Sequence, residues 1–106
     1  RPPDGELTLF HEYWSGIDQC TRRAEEPFHN ARGEFIGKPE DQAEIDWRFA
    51  EERRELIDTL LERYSLNADE LATTIARVSL WRQGIVPTDE DVARTAKSYQ
   101  ERWADE

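Results

Sequence analysis

Apolar residues recur along this chain at steps of three and four, which is the spacing of one face of an α-helix. Four segments show this pattern, at residues 6–25, 39–64, 68–83 and 88–103. Each segment carries one tryptophan, a side chain that needs a large shared surface to be buried. These residues are Trp14, Trp47, Trp81 and Trp103. The pattern predicts an all-α fold, a small four-helix bundle-like domain in which the four tryptophans share one core.

The second segment has the most regular pattern. Its main apolar stripe, interrupted only by Arg54, consists of Ala43, Trp47, Ala50, Ile57, Leu61 and Tyr64. A second stripe flanks it and consists of Ile45, Phe49, Leu56 and Leu60. Two stripes make a wide apolar face, which is typical of a helix packed between neighbours rather than in a two-stranded coiled coil. We therefore expect Trp47 to be a core residue.

Helix-start and helix-stop residues mark the ends of the segments. Pro39 suits a first helical position, and Asn67 with Glu70 has the spacing of a capping box. Gly84 suits a helix stop, and Thr88 precedes a run of acidic residues that suits a helix start. The links between the last three segments are short, so we expect these helices to be antiparallel neighbours.

Residues 27–38 form a long connection between the first two helices. Links between helices usually take about two to eight residues, and this one also carries the apolar residues Phe28, Phe35 and Ile36. We expect one domain over residues 1–106, with an N-terminal tail at residues 1–5. The apolar residues of the connection either cover the open end of the bundle or form a binding surface, and the pattern favours neither interpretation decisively.

The charge balance restricts the partners. The chain has 24 acidic and 14 basic residues, a net charge of −10. This charge argues against direct nucleic-acid binding through phosphate neutralisation and against an anionic membrane surface. It favours simple solubility, a partner with a basic surface, or mimicry of a polyanion. The second segment has four arginines and nine acids, namely Glu40, Asp41, Glu44, Asp46, Glu51, Glu52, Glu55, Asp58 and Glu62.

Candidate catalytic and metal-binding patterns fail on inspection. His11 and Glu12 begin like a zinc-protease helix, but Ser15 occupies the position of the second histidine. Cys20, the only cysteine, lies on the apolar side of the first helix and is expected to be buried and inert. The chain has no nucleophile-elbow motif and no glycine-rich phosphate loop. We expect no catalytic residue, no metal, no cofactor and no enzymatic activity.

Two further features point to a protein partner. No run of about 18 apolar residues could span a membrane, and a lone cysteine fits a reducing compartment, so we expect a cytoplasmic protein. Twelve of the fourteen basic residues are arginine, which with tryptophan is enriched at interaction hot spots. The expected partner-binding residues are Phe28, His29, Phe35, Ile36, Trp81 and Arg82.

The leading hypothesis is a small acidic helical interaction protein. It would bind a larger protein partner and inhibit, regulate or support it. One alternative is an acidic DNA-mimic inhibitor of a nuclease or another DNA-binding protein. Another is a small accessory subunit of an enzyme complex, and a homo-oligomer is compatible with each of these.

Overall fold

A computed structural model describes residues 1–104 of the chain. Over these residues it forms four α-helices: α1 (Asp4–Glu25), α2 (Gln42–Tyr64), α3 (Ala68–Arg82) and α4 (Asp89–Ala104). Two short 3-10 helices, Glu26–Phe28 and Pro39–Asp41, lie at the ends of the long connection. The predicted all-α, bundle-like fold is confirmed. Helix α1 starts at Asp4, earlier than the expected start at residue 6, so the N-terminal tail is shorter than expected.

Side-chain caps fix the helix ends that the sequence predicts. The Asn67 side-chain oxygen accepts a hydrogen bond from the Glu70 N–H at 2.8 Å, and the Glu70 carboxylate accepts one from the Asn67 N–H at 3.0 Å. The Thr88 hydroxyl accepts from the Asp91 N–H at 3.1 Å. Gly84 follows α3 with a φ of 81°, a conformation that glycine adopts without strain. These bonds satisfy backbone groups that a helix end leaves without a partner.

The helices form two antiparallel hairpins. Helix α1 packs along α2, and Arg63 of α2 donates to the Glu12 carboxylate of α1 at 2.9 Å. Helix α3 packs along α4. The short link predicts α2 and α3 as close neighbours, but α3 contacts α1 more extensively, through an ion pair between Arg77 and Glu6 among other contacts. Ser65, in the link, has a left-handed backbone (φ 53°) where the chain turns away from α2.

The main core lies where the α3–α4 hairpin packs on the α1–α2 hairpin. Its buried members are Leu9 and Tyr13 of α1, Ile57 and Leu60 of α2, Leu71, Ala72, Ile75 and Ala76 of α3, and Val92, Ala96 and Tyr99 of α4. Helix α3 is the central element, because its four core residues are fully buried. Trp103 packs against this core, and its indole N–H donates to the Tyr13 hydroxyl at 3.0 Å.

The predicted shared tryptophan core is wrong. Trp47 is 63% exposed, and Trp14 and Trp81 are each 37% exposed. For Trp47 the physical reason is a mismatch of helix lengths, whereas Trp14 and Trp81 line a groove between α1 and α3. Helices α3 and α4 have 15 and 16 residues, whereas α1 and α2 have 22 and 23. At about 1.5 Å per residue, the α3–α4 hairpin is roughly 10 Å too short to cover the α1–α2 hairpin.

The half of the α1–α2 hairpin nearer the connection therefore extends past the main core, and we call it the connection half. Its buried side chains, Cys20, Ala24 and Ile45, lie outside the main core. The described residues measure 45 × 27 × 25 Å, in keeping with this extension. None of the helices over residues 1–104 is long and apolar enough to cross a membrane.

The two long helices approach each other closely at Gly16. A Cβ atom at this position would lie 2.5 Å from Cδ1 of Leu56. Glycine inside a helix costs about 1 kcal/mol relative to alanine. The close contact explains why the chain has a glycine here.

Candidate partner-binding surfaces

The connection between α1 and α2 folds into a short hairpin-like loop. His29 and Phe35 form an isolated antiparallel bridge, and the Ile36 N–H donates to the Phe28 carbonyl oxygen at 2.7 Å. At the tip, the Asn30 side-chain oxygen accepts from two backbone N–H groups further along the loop, at 2.9 and 3.0 Å. An asparagine that bonds the following backbone in this way stabilises a turn. The connection is therefore an ordered structure that holds its side chains in place.

The structure divides the four predicted residues of the connection into two pairs. Phe28 and His29 are half-buried, and His29 Nδ1 donates a hydrogen bond to the Glu25 carbonyl oxygen at 2.8 Å. Phe35 and Ile36 are 53% and 58% exposed. The Phe35 ring packs edge-on against the His29 ring, with centroids 5.6 Å apart. Phe28 and His29 thus anchor the loop, and Phe35 and Ile36 are accessible to a partner.

The main apolar stripe of α2 changes its environment halfway along the helix. In the C-terminal half, Ile57 is buried in the main core and Tyr64 packs against it. In the N-terminal half, Ala43 and Trp47 are exposed and Ala50 is half-buried. The α3–α4 hairpin covers the C-terminal half of the stripe and leaves the N-terminal half open. We call Ala43, Trp47 and Ala50 the uncovered stripe.

The uncovered stripe and the connection lie at the same end of the molecule. An ion pair between Arg23 of α1 and Glu52 of α2, with 3.4 Å between nitrogen and oxygen, sets the register of the two helices. Because these helices are antiparallel, Trp47 lies five residues back along α2, level with Phe28 at the start of the connection. The exposed side chains of the connection and of α2 therefore share one end.

Carboxylates line one side of the uncovered stripe. At about 100° per residue, five acidic residues of α2 fall within about 60° of arc, next to the position of Trp47. These residues, which we call the acidic row, are Glu44, Glu51, Glu55, Asp58 and Glu62. The arginines of α2 fall outside this arc. Glu51 is half-buried and ion-paired with Arg54 at 3.1 Å, and the other four are exposed.

The other two predicted residues, Trp81 and Arg82, lie in a separate groove between α1 and α3. This aromatic groove has a volume of about 580 Å³, and its lining includes Phe10 and Trp14. The Arg82 guanidinium lies over the Phe10 ring, 5.5 Å from its centroid. Phe10 precedes the end of α1 by 15 residues, or about 22 Å of helix. The six predicted partner-binding residues therefore form two separate groups.

A polar groove of about 410 Å³ runs between α1 and α2 and contains the side chains that could have carried chemistry. His11 Nε2 and the Ser15 hydroxyl lie 3.4 Å apart at the exposed surface of one helix. Burial raises the pKa of the Cys20 thiol, and the nearby Glu52 carboxylate raises it further. A protonated thiol is a weak nucleophile. Over residues 1–104, no group of three or more histidine, cysteine, aspartate or glutamate residues is placed to hold a metal ion.

Trp47 is the candidate residue that the sequence pattern misassigns. The pattern places it in the core because it shares a stripe with Ile57. A sign of its exposure is nevertheless present in the same stripe, where its neighbours are Ala43, Ala50 and Arg54. Small and charged residues around one tryptophan indicate that this part of the stripe does not fill a core. Phe10 and Trp14 carry no comparable sign, because the edges of a groove depend on how two helices cross.

Comparisons with known proteins were made in three ways. No protein-family model matches the chain. No curated protein and no solved structure matches it either.

Proposed function

We propose that this protein is a non-enzymatic interaction protein that binds a larger protein partner at its connection end. The binding surface consists of the uncovered stripe of α2 together with Phe35 and Ile36 of the connection. The observation that supports this proposal is the 63% exposure of Trp47, on a stripe that lies in the core further along the same helix. Large apolar side chains grouped at a surface mark interaction sites. Tryptophan is also one of the residue types enriched among hot spots.

The exposed apolar area at this end covers part of what a specific interface needs, which is about 800 Å² per partner. Burying the exposed parts of Trp47, Phe35 and Ile36 would remove roughly 300 Å² of apolar surface from water, worth about 7 kcal/mol. This free energy is similar to the cost of association, which is about 4–15 kcal/mol. Further contacts are therefore required for tight binding, and the acidic row is the adjacent feature that can supply them.

In this proposal the protein acts by occupying a surface of its partner and so inhibits, regulates or supports it. The acidic row would speed encounter with a basic surface through long-range attraction. We place the interaction in the cytoplasm, because Cys20 is a free cysteine and an unpaired thiol suits a reducing compartment.

Affinity capture with mass spectrometry tests the proposal. The baits are the wild-type chain, Trp47→Ala, and Trp81→Ala as a matched control in the aromatic groove. We expect Trp47→Ala to lose a partner that the wild type and Trp81→Ala both retain, with all three baits folded by circular dichroism. A partner retained by Trp47→Ala and lost by Trp81→Ala would transfer the binding site to the aromatic groove and contradict the proposal.

DNA mimicry is a second candidate, and one observation favours it. The acidic row extends over 18 residues of α2, about 27 Å, and the arginines of this helix fall outside its arc, although Arg54 pairs with Glu51. Such a row of carboxylates can occupy a phosphate-binding surface. Two measurements on the captured partner distinguish the candidates. Mimicry predicts competition by duplex DNA and an affinity that Trp47→Ala leaves nearly unchanged, whereas an interface centred on Trp47 predicts no competition by DNA and a large loss of affinity in that variant.

A further inference from the structure

We infer that the partner element that binds the connection end is a basic amphipathic α-helix, laid along the uncovered stripe of α2. This inference deepens the proposed function and rests on it. Three observations carry it: the continuity of the stripe with a face that already receives helices, the carboxylates on both of its sides, and the absence of backbone edges along α2.

The uncovered stripe continues a helix-packing face. Further along α2, Ile57 and Tyr64 pack in the core that α3 and α4 help to form. Ala43, Trp47 and Ala50 occupy the same face of the same helix, about two turns in length. The two alanines permit close approach of another helix on either side of the Trp47 ring. A helix from a partner would thus extend the packing that the short α3–α4 hairpin leaves incomplete.

Carboxylates flank this stripe on both sides. Glu44 and Glu51 of the acidic row lie on one side, and the exposed Asp46 lies on the other. Because Glu51 is already ion-paired with Arg54, a helix whose apolar face is bordered by lysine or arginine would place its positive charges opposite Glu44 and Asp46. A second copy of this chain, with its own net charge of −10, would place carboxylates against carboxylates. Charge complementarity therefore favours a basic helix over self-association.

The backbone of α2 explains why the bound element would be a helix rather than an extended strand. A β-strand gains main-chain hydrogen bonds only from a partner with free backbone N–H and C=O groups, such as a sheet edge. The backbone groups within α2 are already paired inside the helix. An extended peptide buried on this face would leave its own backbone groups unsatisfied. A helix satisfies its backbone internally and presents only side chains.

Three synthetic peptides of about five helical turns test the inference on the full chain. The first is basic and amphipathic, the second has the same composition in scrambled order, and the third keeps the apolar positions but carries acidic flanks. Affinity is measured by titration calorimetry, and helix formation by circular dichroism of the mixtures. We expect the basic amphipathic peptide to bind at least about tenfold more tightly than the scrambled one and to gain helix on binding.

Variants of the chain locate the binding site. Trp47→Ala removes a tryptophan from the centre of the proposed site, so we expect it to weaken peptide binding about 30-fold. The control Trp81→Ala should weaken peptide binding less than about twofold. Removal of the flanking charges by Glu44→Gln with Asp46→Asn should weaken binding several-fold at low salt and little at high salt. The matched control is Glu101→Gln, an exposed carboxylate of α4, which should change affinity less.

Several outcomes would overturn the inference. Equal binding of the scrambled and amphipathic peptides would mean that affinity comes from charge alone. Unchanged affinity in Trp47→Ala would mean that the peptide binds elsewhere. A dimer in sedimentation that Trp47→Ala abolishes would make a second copy the occupant. If all peptides fail while the captured partner still depends on Trp47, the helix inference fails and the proposed function stands. If binding of the captured partner does not depend on Trp47 either, the helix inference and the proposed function both fail.

Discussion

Replacing Trp47 with alanine separates a core role for this tryptophan from a surface role. Truncation of a large core residue costs about 3–5 kcal/mol, and the sequence pattern alone would predict that result. In the structure Trp47 is 63% exposed, so a little over a third of its surface is removed from water. A tryptophan side chain can bury at most about 250 Å², so the buried part is about 90 Å².

That buried area sets the expected loss of stability. At about 25 cal/mol per Å², 90 Å² corresponds to about 2 kcal/mol, which is an upper bound because unfolded chains also bury some surface. Alanine has a higher helix propensity than tryptophan, which returns up to about 0.7 kcal/mol. We therefore expect Trp47→Ala to lower the free energy of unfolding by about 1–2 kcal/mol and to leave the fold intact.

Guanidinium denaturation followed by circular dichroism measures this free energy, with Ile75→Ala as the control. Ile75 is fully buried in α3, so its truncation should cost about 2–5 kcal/mol with an unchanged denaturant slope. A loss for Trp47→Ala as large as that for Ile75→Ala would refute the reasoning. It would mean that α2 is covered along its whole length and that the uncovered stripe does not exist.

Three further predictions concern the interior and the caps. Gly16→Ala places a Cβ 2.5 Å from Leu56 Cδ1 and should lower the free energy of unfolding of the wild type by about 1–2 kcal/mol. In a Leu56→Ala background the same substitution should raise that free energy by about 1 kcal/mol, because alanine favours the helix more than glycine. Urea denaturation measures both effects, and equal effects in the two backgrounds would contradict the contact. Hydrogen bonds from Thr88 lower the pKa of Asp91 in the folded protein. The stability that these bonds contribute is therefore fully present above the unfolded pKa of about 4, and it is lost as the pH falls through the lower pKa of the folded protein. Asp91→Asn should make the free energy of unfolding less dependent on pH in that range, and an identical acid profile would argue against the cap. Burial raises the pKa of Tyr13, so its contribution is present below about pH 10 and is lost as the pH rises through the higher folded pKa. Tyr13→Phe should reduce this alkaline loss in thermal melts, and an unchanged loss would place the effect on other groups.

The starts of α3 and α4 could be predicted because capping acts over only a few residues, whereas α2 starts at Gln42, three residues after the predicted Pro39. Asn67 and Glu70 satisfy each other's backbone groups within one turn, and Thr88 does the same for Asp91. The buried position of Cys20 also follows from its place on the apolar side of α1. These features need no knowledge of how the helices are arranged in space.

The way in which the two hairpins pack on each other could not be predicted from periodicity. Periodicity shows which residues share a face, but it does not show whether a neighbouring helix is long enough to cover that face. The misassignment of Trp47 has this cause. The turn at Asn30 is also missed, because an asparagine side chain that bonds the following backbone leaves no repeating pattern. The exposure of Phe35 and Ile36, by contrast, agrees with the binding-surface interpretation of the connection.

The length mismatch between the hairpins also affects how evenly stability is distributed. The connection half consists of two helices with only a few buried side chains, such as Cys20, Ala24 and Ile45, outside the main core. Regions with few buried apolar contacts open at a lower free energy than the molecule as a whole. The end that exposes Trp47 is therefore the end that should unfold locally most often. A ligand seated there would suppress these openings, so part of its binding free energy would be used to order its own site.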